Sequence, residues 1–362
     1  MRHIKKEITY LSALLFTCSI FIILIVFGQE TKAAVKEGMT ICLDSIVPSL
    51  FPMLILSDFL SQIGSPDIFR KIRKKIYYYI SGCNECTLES DLFGAFAGFP
   101  VGIRTACKLY ELNVCTLETA QKAAICNISP GIAFSVFVVG ESWFDNAAIG
   151  WSLLVSVNIA NMFLRILLCL KDRRKKHETI GAINHQIRIP AVDALIGSVR
   201  NSITGIAQMC GWILLFFAGT APLNKLRLSS VIIGMLEVTK GVSAAAKNGK
   251  PLIAAFLLGF GGICIFLQLF PQLKALKIPL YQLIISRLFT AAISVCSEKM
   301  IIDLFFGCLP AISEKTGSVH TFRHSPAGFL TLAFFCLLFI CTSANYDRYH
   351  KNNAERISLF RY

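Results

Sequence analysis

Two short apolar segments, each interrupted by glycine or proline and each carrying charges in its middle, stand in matching positions of the two halves of this chain. Residues 91–111 read DLFGAFAGFPVGIRTACKLYE, and residues 229–247 read SSVIIGMLEVTKGVSAAAK. Both are apolar enough to enter a bilayer, yet the first holds Arg104 and Lys108 and the second Glu237 and Lys240. Broken apolar segments repeated between halves point to a solute site near the membrane midplane. A chain built around such a pair is confined to very few architectures, because backbone freed from a helix at membrane depth must line a cavity or be buried in protein.

Composition agrees with a membrane setting. Of 362 residues, 54% are hydrophobic and 16% charged, where soluble domains carry about 25% charged residues. The 36 Lys and Arg against 22 Asp and Glu sit in short loops between apolar runs. That distribution suits membrane topology, and no basic face alternates with stacking aromatics as nucleic-acid binding requires. Most of the 14 cysteines lie inside apolar runs, where thiols act as small hydrophobes. Cys83 and Cys86 form a CxxC, but without further ligands they are a weak metal signal, and no cofactor is expected.

Charge counting gives a topology. Arg2, Lys5 and Lys6 precede an apolar run at 8–28, read as an uncleaved first helix running outward. Residues 39–63 return the chain to the inside cluster Arg70, Lys71, Arg73, Lys74 and Lys75. Segments 91–111, 123–140 and 147–170 then lead to a second inside cluster from Lys171 to Lys176. Three segments between two inside loops leave one that does not cross, and the broken one is the natural choice. Split at Gly98 and Pro100, it yields two half-helices of about 12–15 Å, a re-entrant hairpin from inside. The second half repeats the order upside down: 191–219 outward, 229–247 as an outside-facing hairpin, 252–270 inward, 280–297 outward and 327–344 back to a basic tail.

The expected fold is therefore an all-α polytopic membrane protein, an inverted repeat with two re-entrant or broken helical hairpins. Its parts are an N-terminal helix (1–34), a first repeat (35–170), a basic cytoplasmic linker (171–190), an inverted second repeat (191–300), and a C-terminal helix with tail (301–362). Both termini fall inside.

Candidate solute-binding residues follow from the breaks. Gly98, Pro100, Gly102 and Arg104 surround the first, and Asn127 and Ser129 precede Pro130 and Gly131 in the next segment. The second break offers Glu237, Thr239, Lys240 and Gly241, with Gln268 beyond it. Gly94, Gly98, Gly102 and Ala106 also suit a helix-packing groove kinked at Pro100. Glu237 and Lys240 are spaced to pair with each other on a helix. Asn158 and Asn161 suit helix bridging, and Asp44, Asp58, Arg165 and Arg287 read as interfacial charges. No hydrolase or phosphate-loop motif is present, so an enzyme is not expected.

The blocks VPSLFPMLILSDFL, GAFAGFPVGIRTACKLYE followed by Asn127 to Pro130, GMLEVTKG and FLLGFGGICIFLQL resemble the YlbJ family of sporulation integral membrane proteins. The likeness runs from about Gly38 to Leu288, with Phe99 where a tyrosine is common and a compact second hairpin. It implies nucleoside-recognition or gate-type repeats, an inner-membrane location and a part in building the spore cortex. The expected partners are the lipid bilayer, a small polar solute, and sporulation proteins or a second copy of the chain. A carrier or channel for that solute is the first functional expectation. A non-transporting scaffold that recruits envelope factors through its basic linker is the alternative.

Overall fold

The computed structural model describes residues 25–63, 87–169, 190–222 and 229–305, with scattered positions between 11 and 22. These residues are almost wholly helical. About half of the expected first helix lies outside the described residues. Cys83 and Cys86, the 171–189 part of the linker and the 327–344 span lie outside them altogether.

The first long helix runs from α1 (Gly28–Ile41) through a wide π turn (π1, Cys42–Ile46) into α2 (Val47–Ile63). It begins well before the expected start at residue 39. At 1.5 Å per residue it is about 54 Å long, against roughly 30 Å of hydrocarbon. Its polar first turns, with Glu30, Lys32, Lys36 and Glu37, supply the overhang. Next come α3 (Leu88–Phe96), α4 (Val101–Glu111), α5 (Leu117–Cys126), the π-wound π2 (Ala133–Trp143) and α6 (Ala147–Cys169). The second half has α7 (Ala191–Thr220), α8 (Ser230–Leu236), α9 (Val238–Lys247), α10 (Pro251–Phe260), α11 (Gly262–Gln268), α12 (Phe270–Ala275) and α13 (Leu280–Phe305). Among the described residues, five stretches are long and apolar enough to cross a membrane: Gly28–Leu60, Ala147–Cys169, Ala191–Thr220, Pro251–Gln268 and Leu280–Leu304.

Both short segments are broken helices. The first breaks at 97–100, where Gly98 adopts φ +75° and the Phe99–Pro100 peptide is cis. The second breaks two to four residues earlier than the expected 239–241, at Glu237, whose backbone is extended. Two further segments, expected to run straight through, are broken as well. Residues 127–131 separate α5 from π2, and Gly261, at φ +91°, separates α10 from α11.

Glycine pairs close the helix pairs. A Cβ on Gly102 would stand 2.6 Å from the Gly94 Cα, and one on Gly241 would stand 2.2 Å from the Gly234 Cα. Backbones approach this closely only where neither residue has a side chain, which is how small residues serve membrane helix packing.

The order long helix, helix pair, broken helix, long helix thus occurs twice. Corresponding long helices also pack on each other, α1–α2 against α7 and α6 against α13. Both couples are antiparallel. Gly38 faces Phe217 and Leu214, while Gln62 bonds Ser198, so rising numbers on one helix meet falling numbers on the other. Likewise Ser152 meets Glu298, Asn161 meets Arg287, and the rings of Phe163 and Phe289 stack 6.1 Å apart.

Candidate binding cavity

A cavity of about 240 Å³ opens between α2, α4 and α7. The α2 wall brings Leu54, Asp58 and Gln62, and the α7 wall Asn201, Ser202 and Gly205. From α4 come Pro100 and Val101 at its N-terminal end, then Arg104, Thr105 and Lys108. The break at 97–100 is what delivers them: α4 starts inside the protein, and its first two turns aim Arg104 and Lys108 to one side. Arg104 lies across α7 where Gly205 leaves room; a Cβ on that glycine would come 3.9 Å from the guanidinium.

Among the described residues that line the cavity the one carboxylate, Asp58, accepts from two side-chain amides. Asp58 Oδ2 accepts from Gln62 Nε2 at 2.8 Å and from Asn201 Nδ2 at 3.0 Å, and Gln62 Nε2 also approaches Ser198 Oγ at 2.9 Å. Ser202 is buried with its hydroxyl lacking any partner. The lining therefore combines two cations, one carboxylate already bonded to amides, a free hydroxyl and the N-terminal end of a helix. Helix N-termini carry partial positive charge and unbonded N–H groups.

Among the residues singled out from the sequence, Pro100 and Arg104 line this cavity, while Gly98 and Gly102 build the bend behind it. Asn127 and Ser129 are buried on the other side of that bend and brace it. Asn127 Nδ2 donates to Ser90 Oγ at 2.8 Å and to Asp91 Oδ1 at 3.0 Å, and Ser129 Oγ donates to the Gly94 carbonyl at 3.0 Å. The Ser129 carbonyl accepts from Phe99 N–H at 2.9 Å, so the two breaks of the first half are sewn together.

Glu237, Thr239, Lys240 and Gly241 form a separate cluster at the second break. Glu237 is buried, and its carboxylate caps α9 by accepting from the backbone N–H of Thr239 at 3.1 Å and of Lys240 at 2.6 Å. A side-chain acceptor at this position satisfies helix N–H groups that otherwise go unbonded. The Lys240 ammonium turns to α7, donating to Thr220 Oγ1 at 3.3 Å and lying 5.3 Å from the Phe217 ring centre. Spacing suggested an ion pair between the two; the structure uses each group elsewhere. Gln268 ends α11, half-buried, and lines neither cluster.

Arg165 and Arg287, read from the sequence as interfacial, are both buried. Arg165 contacts Thr87 Oγ1 and lies 3.4 Å from Asp91 Oδ2. Arg287 donates to the carbonyls of Ile128 and Ile125, to Asn161 Oδ1 and to Thr290 Oγ1. It thus ties off the free C-terminal end of α5, where cations are favoured.

The sequence reading missed Gln62, Asn201, Ser202 and Gly205, and took Asp58 for an interfacial charge. A signal was available in α7. Ser198, Asn201, Ser202 and Gly205 recur at helical spacing, a polar and small stripe on an otherwise apolar helix. Comparison with protein-family models, with curated proteins and with solved structures returns no match to this chain.

Proposed function

We propose that the chain is a multi-pass membrane carrier whose α2–α4–α7 cavity binds a small anionic solute from the inner face. The observation that carries this reading is the pairing of Arg104 and Lys108 with the unbonded, buried Ser202 hydroxyl in one cavity between apolar helices. A charge held among membrane helices costs about 2.5–3.5 kcal/mol on insertion scales, so such groups mark sites by default. Asp58 offsets one of the two cations, which leaves the described lining net positive. Its volume lies below the roughly 300–1,000 Å³ of drug-sized pockets, which argues for a small occupant.

The inverted repeat belongs to the same proposal. Antiparallel packing of corresponding helices is what two halves of opposite orientation produce when they meet about a pseudo-twofold axis. Contacts also join residues that charge counting places on one side. Gln121 Nε2 donates to the Leu276 carbonyl at 2.8 Å, beside Lys277, and Gln62 meets Ser198; all four belong inside. In this arrangement α3–α4 is a re-entrant hairpin from inside and α8–α9 one from outside. A location in the cell membrane and a part in spore cortex assembly follow from the likeness to the YlbJ family. The cavity favours a carrier over a recruiting scaffold, which has no use for a charged cleft between helices.

Thermal unfolding of the full chain in lipid nanodiscs, with inorganic phosphate, succinate or neutral uridine added, tests the solute class. An anion raises the unfolding midpoint and uridine does not, with about 2.7 kcal/mol of stabilisation at a hundredfold excess over Kd. Arg104→Gln abolishes the rise. Stabilisation by uridine alone, or a rise that survives Arg104→Gln, overturns the reading.

A further inference from the structure

Away from the cavity, a buried polar stripe runs along α13. Arg287, Thr290, Ser294 and Glu298 each have no exposed surface. Their spacing of three, four and four residues places them on one helix face over about 16 Å. Helix α6 opposes them with Ser152, Ser156 and Asn161, also buried. Helix α10 presses Gly259 against the same face, where a Cβ would meet Ser294 Oγ at 2.7 Å.

Glu298 ends the stripe. Its Oε1 lies 2.7 Å from Ser152 Oγ, Ser156 is within reach of the same carboxyl, and Oε2 has no partner. No cation among the described residues balances it. The one charged residue of α6, Arg165, lies about 20 Å along the helix from Ser152. Helix α10 has no charged residue, and Glu141 of π2 is exposed. On α13 itself Arg287 is three turns away, and Lys299 and Asp303 are exposed. An ionised carboxylate left uncompensated in such a place costs several kcal/mol.

The Ser152 hydroxyl indicates what balances it. It lies 2.9 Å from the Ile149 carbonyl as well as 2.7 Å from Glu298, yet has one proton to give. With a proton on Glu298 both contacts are filled: the carboxyl O–H donates to Ser152 Oγ, which donates to the Ile149 carbonyl. Without it, Ser152 satisfies only one of the two.

The stripe also leads somewhere. Ser294 Oγ donates to the Thr290 carbonyl, Arg287 to Thr290 Oγ1, and Arg287 again to the Ile125 and Ile128 carbonyls at the α5–π2 break. Asn127, within that break, bonds Ser90 and Asp91 on α3, the partner of the helix that carries Arg104. Bonded contacts therefore run from Ser294, one turn along α13 from Glu298, to the helix pair beside the cavity, a packed route by which coupling between two sites can be carried.

From this we infer that Glu298 binds the coupling proton of a proton-driven carrier, with Ser152 as its hydrogen-bond partner and the α13 stripe as its link to the α5–π2 break. The inference rests on the carrier reading above. In each cycle the Glu298 O–H bond forms with a proton from water on one face and breaks to release it on the other.

Infrared difference spectra of the full chain in nanodiscs, recorded as pH is stepped, test the site without any solute. The wild type shows a carboxylic-acid carbonyl band that is absent from Glu298→Gln, and Ser152→Ala shifts that band. Spectra of wild type and Glu298→Gln that superimpose at every pH overturn the inference. A difference that appears on adding sodium and not on changing pH also overturns it, in favour of a metal cation. In parallel, thermal unfolding of the wild type is recorded with the same anion added. If that anion binding is absent from the wild type while the infrared band is present, the cavity assignment fails and the proton site stands. In vesicles containing a pH-sensitive dye, the same anion drives proton movement in the wild type, and Glu298→Gln loses it; equal proton movement in both overturns the inference.

Discussion

Arg287 illustrates how a single side chain decides the shape of this protein. Its guanidinium satisfies two carbonyls at the end of α5, both from residues more than 150 positions earlier in the chain. Substituting Met keeps the apolar length but leaves those carbonyls, Asn161 and Thr290 without their donor. Hydrogen bonds to charged groups contribute about 1.5–3 kcal/mol each, and a buried acceptor left unmet adds a penalty. Arg287→Met should therefore destabilise the protein by roughly 3 kcal/mol or more, seen as a lower midpoint in thermal unfolding. An unchanged midpoint means that the α5–π2 break holds without it. The role of Arg287 was hidden in the sequence because all but one of its acceptors are long-range and two are backbone atoms. Ser202 was hidden for a related reason: an unbonded hydroxyl is recognisable only once α2 and α4 have enclosed it.

At the scale of elements, the breaks were partly legible. Gly98 and Pro100 advertise the first, since glycine admits the +75° φ and proline has no N–H to continue the helix. The break at Glu237 has no such marker, because there an acidic side chain ends one helix and caps the next. Those at 127–131 and at Gly261 were in view, as Pro130, Gly131 and paired glycines, but they fall within runs apolar enough to read as unbroken spans. What the breaks share is glycine contact nearby, and that yields a prediction. Gly241→Ala drives a Cβ to 2.2 Å from the Gly234 backbone, whereas Gly211→Ala on α7 meets nothing within 4 Å. Overpacking costs about 1–3 kcal/mol, so Gly241→Ala should lower the unfolding midpoint and Gly211→Ala should leave it or raise it slightly. Gly102→Ala should behave like Gly241→Ala, with its Cβ pressed against Gly94. Equal midpoints for all three variants mean that the pairs do not depend on glycine contact.

At the scale of the whole molecule, apolar runs and basic clusters were enough to anticipate a helical chain with membrane-crossing stretches, because insertion energetics act on local sequence. The antiparallel meeting of α6 with α13 and of α1–α2 with α7 was not readable, since it arises from contacts between halves. Together these give a test of orientation. Glu111 ends the first helix pair and Lys250 follows the second, and both are exposed. If the halves are inverted, the two residues lie on opposite sides of the membrane, Glu111 inside and Lys250 outside. Single cysteines replace them on a background in which the exposed thiols among the described residues, Cys18 and Cys296, are serine. A membrane-impermeant maleimide added to intact cells should label Lys250→Cys and leave Glu111→Cys untouched until the membrane is opened. Labelling of both from outside, or of neither, means that the helix pairs enter from one face. In that event the two halves form a parallel repeat, and labelling of both from outside also takes from the cavity between α2, α4 and α7 its assignment to the inner side.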